Sequence, residues 1–149
     1  VKISGSHLLP LPVERAYQLL QDPDALAGAI PGCQGLEKVA EDEYRMQMKM
    51  ALASISGAFE GKVRIADRQP PNSFRLIVEG TSRVGFVKGD GVLNLKPSGD
   101  GTEVSFEGDA NVGGTMAAVG QRMIDGAAKM MIKKFFEKLV SDAGAAPAS

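Results

Sequence analysis

The chain has 149 residues, the length of one domain, and a domain of this size buries roughly 70% of the surface its unfolded chain exposes, so it folds without disulfides or metals. Lys and Arg number 17 against 18 Asp and Glu, a net charge of −1, which argues against a phosphate-binding surface and a nucleic-acid partner. One cysteine rules out an internal disulfide and a cysteine-based metal site, and one histidine rules out a histidine cluster.

The opening segment, residues 2–9, reads as a strand. Residues 11–20 follow as a short helix, with Val13, Ala16, Tyr17 and Leu20 on one face at i, i+3, i+4 and i+7. Asp22-Pro23-Asp24 interrupts it, and a second short helix runs from Asp24 to Ile30, where Pro31 ends it. From Leu36 the apolar period drops to two. Tyr44, Met46, Met48 and Met50 alternate with polar residues; Phe59, Val63 and Ile65, then Phe74, Leu76 and Val78, then Val104, Phe106 and Val112 do the same. Each is a strand with one apolar and one wet face, the pattern of an antiparallel sheet covered on one side. Turns are expected at Glu41-Asp42, at Gln69-Pro70-Pro71-Asn72 and at 97–101. The glycines of 84–95 suggest bulges or a sharp bend. Thr115 is placed to cap a long helix reaching about Val140, with Ala117, Ile124, Ala128, Met131, Phe135 and Leu139 on its stripe and Val119, Met123 and Met130 widening it. Residues 143–149 read as a disordered tail, leaving one domain over 1–142.

A one-sided sheet needs a cover, and only the last helix is long enough to supply it. The expected architecture is α+β: a curved antiparallel sheet of about seven strands around a long C-terminal helix, with two short helices after the first strand, the helix-grip fold. Space between sheet and helix is where function is sought. The expected wall is compliant and apolar: Tyr44, Met46, Met48, Met50, Phe59 and Val63 from the first strands, and Leu76, Val78, Phe86, Val104 and Phe106 from the later ones. The helix segment adds Met116, Val119, Met123, Ala127 and Met131. Methionine adapts to irregular apolar ligands, although the same periodicity also describes an ordinary core. Tyr44, Gln121 and Arg122 are the polar residues expected near the mouth.

No catalytic residues are expected. His7, far in sequence from Cys33, reads as a hydrogen-bonded or surface histidine, and Cys33 as a structural thiol without a cationic neighbour. Glu79, Glu107 and Asp109 fall on the wet face. No segment has the glycine-lysine spacing of a phosphate loop, and no apolar run approaches the ~18 residues of a membrane span. The opening residues lack a signal-peptide pattern, and the lone cysteine suits a reducing compartment.

Four segments carry a resemblance: Ile30-Pro31-Gly32-Cys33; Gly85-Phe86-Val87-Lys88-Gly89-Asp90-Gly91; Asp109-Ala110-Asn111-Val112-Gly113-Gly114; and the run from Val119 through Gln121, Arg122 and Asp125 to Ala128. From Lys2 to Val140 the chain resembles the carbon monoxide dehydrogenase G-subunit family, of the START-like (SRPBCC) helix-grip superfamily. That resemblance implies a non-catalytic accessory protein of a molybdenum hydroxylase, cytoplasmic and meeting the inner membrane face. It implies no cofactor of its own, but a quinone or lipid carried in the cavity. Two other functions stay open: a docking or assembly factor that acts by protein contact alone, and a polyketide cyclase-like enzyme.

Overall fold

The computed structural model describes residues 1–52 and 55–145, and the side chains of 1–49 and 57–142. Seven strands form one sheet: β1 (Lys2–Leu9), β2 (Cys33–Ala40), β3 (Glu43–Leu52), β4 (Ile55–Gln69), β5 (Ser73–Ser82), β6 (Gly85–Ser98) and β7 (Gly101–Gly113). Their order is β1-β7-β6-β5-β4-β3-β2. Every pairing is antiparallel, so β2 to β7 form a meander and β1 closes onto β7. The helices α1 (Val13–Leu19) and α2 (Pro23–Ala29) follow β1, and α3 (Gln121–Ala145) ends the described chain. This is the expected helix-grip architecture.

Local chemistry explains the short elements. Pro23 opens α2, where its missing N–H costs nothing, and the Asp22 side chain accepts from the Asp24 amide at 3.0 Å. Val13, Ala16, Tyr17 and Leu20 are all buried. Tyr17 stands edge-on to Phe74, with ring centroids 5.6 Å apart, and its hydroxyl donates to the Ser73 carbonyl at 3.0 Å. Thr102, fully buried, donates to the Leu11 carbonyl at 2.7 Å. These contacts fix α1 over one end of the sheet, where Leu9, Phe74, Leu95, Val104 and Leu139 make the dry core.

Two expectations fail. The glycines of 84–95 make no bulge: β6 keeps an unbroken register with β5 from Gly85 to Asn94 and with β7 from Phe86 to Ser98, and the shifts lie instead between Ala66 and Gln69 and at both ends of β2. Nor does Thr115 cap the long helix. Residues Gly114–Val119 form a 3-10 turn whose preceding residue, Gly113, gives no side-chain cap, and the chain then breaks at Gly120 (φ 94°) before α3 begins. Ile124 and Leu139 are buried as expected, whereas Ala117, Met123 and Met130 are exposed and Phe136, outside the expected stripe, turns inward. The helix continues past Val140 to Ala145; residues 146–149, the end of the expected tail, lie outside the described residues.

Candidate functional site

Strand alternation decides what faces α3. From β7 the even-numbered residues point inward, from β6 the odd ones and from β5 the even ones. Register then sets small residues side by side: Gly91 pairs with Gly108, Gly89 with Ala110 and Gly61 with Gly80. Gly108 leaves no room for a side chain and Gly91 leaves little. A Cβ on Gly108 would sit 2.6 Å from the Asp90 carbonyl oxygen and 2.8 Å from Gly91 Cα. The middle of the inner face thus presents bare backbone where core strands ordinarily present valine or leucine.

Opposite that bare patch lie Ile132, Phe135 and Phe136 of α3, and a cavity of about 250 Å³ remains between the two layers. Leu76, Val78, Leu93, Phe106 and Ile3 complete its walls, and the surface they expose is almost wholly apolar. An engineered apolar cavity of about 150 Å³ already takes up benzene, so this one has room for part of an apolar ligand. Asp90, Glu107 and Asp109 border the space, but their positions on β6 and β7 belong to the solvent face. Asp90 is held by Arg75 on that outer surface, and the hydrogen bond from the guanidinium keeps its carboxyl below the usual range.

The expected wall and the observed one overlap at three residues, Leu76, Val78 and Phe106. Tyr44, Met46, Val63 and Val104 are buried in the main core cluster and do not line the cavity. Phe59 and Met116 form a second packed cluster with Met48, Val119 and Ala127 around them. Met131 is half-buried on α3, and the side chain of Met50 lies outside the described residues. Phe86 and Met123 are corrections: they are 41% and 46% exposed, on the outer face of β6 and on the far side of α3. In Phe86 the error is one residue of alternation, since Val87 takes the inner place beside Phe59 and Met116. Its ring instead covers Gly113 from outside, with the Lys88 ammonium 5.8 Å from the ring centre. Of the three polar residues expected at the mouth, Tyr44 is in the core and Gln121 and Arg122 are exposed at the start of α3.

Residues missed in the sequence include Ile3, Leu93, Ile132, Phe136 and the glycines 89 and 91. Ile132, Phe136 and Leu139 recur at i, i+4 and i+7, a helical spacing that marks one face of α3.

Beside the cavity, His7 lies flat on Phe136, with centroids 4.4 Å apart and planes 11° apart, and more loosely on Phe106 at 6.0 Å. Burial lowers its pKa below 6.5, with nearby Glu137 pulling weakly the other way. Cys33 is half-buried, and its Sγ lies 3.6 Å from the Gly35 carbonyl. The lysines of α3 are tied along the helix, Lys129 to Asp125 at 3.0 Å, Lys133 to Glu137 at 3.9 Å and Lys138 to Asp142 at 3.1 Å. Such pairs add a few tenths of a kcal/mol at most and offset much of the basic face. Among the described residues, no group of three His, Cys, Asp or Glu could hold a metal ion, and no helix is long and apolar enough to cross a membrane.

A curved sheet gripping one helix, with an apolar hollow between them, defines a helix-grip domain of the START-like superfamily. Within it, the chain belongs to the CoxG family, that of the carbon monoxide dehydrogenase G-subunit, whose model matches residues 5–144. A conserved protein from Geobacillus kaustophilus of known crystal structure is 35% identical, with a TM-score of 0.92 over 95% of this chain and 94% of that one. A START superfamily protein from Mycobacterium smegmatis (13% identity, TM-score 0.73, 95% of each chain) and a protein from Chromobacterium violaceum (18%, 0.72, 94% of each) share the fold. No curated protein matches the sequence. Membership makes the chain a non-catalytic accessory protein with a general ligand-binding role, tied to carbon monoxide dehydrogenase-type systems, and sets aside the cyclase-like alternative.

Proposed function

We propose that the protein carries an apolar small molecule, a quinone or lipid, in the hollow between the sheet and α3, on behalf of a molybdenum hydroxylase of the carbon monoxide dehydrogenase type. The apolar cavity of about 250 Å³ is the observation that carries this reading. Each methylene buried there gains ~0.8 kcal/mol, so a chain of a few carbons offsets the cost of its own ordering. Gly89 supports it further: a Cβ there would meet nothing within 4 Å, so the space is left open at a cost to the strand of roughly 0.5–1 kcal/mol relative to alanine. Delivery to or from a membrane would bring the protein to the bilayer surface. The exposed Met123 and Met130 on α3, with Lys134 close by in sequence, suit a peripheral contact of that kind.

The test is extraction without detergent, followed by native mass spectrometry and pull-down. A bound species of quinone or lipid mass, and capture of a molybdenum hydroxylase, are the expected results. A ligand-free protein that captures the hydroxylase equally well would favour docking by protein contact alone.

A further inference from the structure

A second cleft adjoins the apolar cavity. It has a volume of about 340 Å³ and lies along β1 and the neighbouring flank of α3. Ile3, Phe106 and Ile132 line both spaces, so the two are immediate neighbours with these side chains at their border. Their chemistry differs sharply. Where the first is walled by hydrocarbon, the second is lined by Ser4, Ser6, His7, Lys129, Lys133 and Glu137.

We propose that this second cleft is a head-group subsite and that the ligand is an amphiphile with an acidic head, a carboxylate whose hydrocarbon tail fills the apolar cavity. The inference rests on the carrier function proposed above and narrows its ligand, quinone or lipid, to a lipid acid. Charge carries it. Two ammonium groups border the cleft against one carboxylate, and the Lys133–Glu137 pair is loose at 3.9 Å, with both side chains largely in solvent. Lys129 draws its partner Asp125 from outside the cleft. An incoming carboxylate would accept charge-assisted hydrogen bonds from Lys129 and Lys133, each stronger than a bond between neutral groups. Long lysine stems can lie along the apolar rim while their heads reach the anion.

His7 sits at the junction, its ring stacked on Phe136 and Phe106, which also wall the tail cavity. The groups facing it are Lys129, Lys133 and Glu137 from α3; its partner across the strands, Val104, is apolar. Burial favours the neutral imidazole, which can still donate one hydrogen bond to an acid oxygen.

Calorimetric titration with decanoate and with decan-1-ol at pH 8, below their aggregation limits, tests this. Both should bind, with decanoate roughly tenfold tighter, and the double variant Lys129→Gln/Lys133→Gln should lose that preference while keeping its affinity for the alcohol. Equal affinity for acid and alcohol would overturn the subsite and leave the carrier function standing. So would an acid preference that survives in the double variant. Binding of neither compound would overturn both.

Discussion

Gly89 offers the sharpest perturbation of the hollow. It faces inward on β6, lines the cavity, and a Cβ built on it meets nothing within 4 Å. Gly89→Leu should therefore enter empty space rather than displace its neighbours. Removing a strand glycine returns roughly 0.5–1 kcal/mol, and burying leucine adds ~1.5–3 kcal/mol, less whatever of the side chain stays wet. A net gain of about 2 kcal/mol corresponds to a Tm rise of about 4–8 °C for a domain of this size. The same side chain occupies the ligand's place. Thermal scans of lipid-stripped protein, paired with fluorescence titration by the neutral probe N-phenyl-1-naphthylamine, should show Tm rising while probe affinity falls at least about tenfold. A lowered Tm would mean the space at Gly89 is already filled. A raised Tm with unchanged probe binding would mean that ligands are held elsewhere.

The neighbouring glycine should behave in the opposite way: Gly108→Ala forces a Cβ to within 2.6 Å of the Asp90 carbonyl and should lower the urea midpoint by the equivalent of about 1–3 kcal/mol. Phe136→Ala removes a ring that is 4% exposed and stacked on His7, and should cost about 3–5 kcal/mol in denaturant unfolding. Because burial depresses the native pKa of His7 below 6.5, its contribution to stability is complete above that pH and is lost as pH falls through the lower native value. In denaturation series from pH 8 to pH 4, His7→Gln should flatten the acid loss relative to the parent; curves that stay parallel would exclude a role for His7.

The sheet was legible because each strand buries one face only, which writes period two into the residues from Tyr44 to Val112. Likewise α1 was legible in Val13, Ala16, Tyr17 and Leu20, which share one face and are all buried. The hollow was not, because it depends on cross-strand register. Nothing in the sequence places Gly91 opposite Gly108, or Gly89 opposite Ala110, yet those pairs empty the middle of the sheet. The methionines misled for a related reason. Periodicity shows that Met46 faces inward but not that its surroundings are packed solid. The positive-φ residue Gly120 separates the 3-10 turn from α3, so Ala117 was no guide to the inner face of the helix; Ile124 and Leu139 keep their expected inward places, while Met123 is exposed and Phe136 is buried. The family resemblance, by contrast, rested on contiguous motifs and matched over residues 5–144.

Methyl-resolved NMR during titration with a short-chain quinone or decanoate probes the hollow itself. The methyl groups of Ile3, Leu76, Val78, Leu93 and Ile132 should shift together and saturably, while those of Leu9 and Ile65 in the packed core stay still. Shifts confined to surface methyls such as Leu8, or none at all, would contradict a ligand-bearing interior.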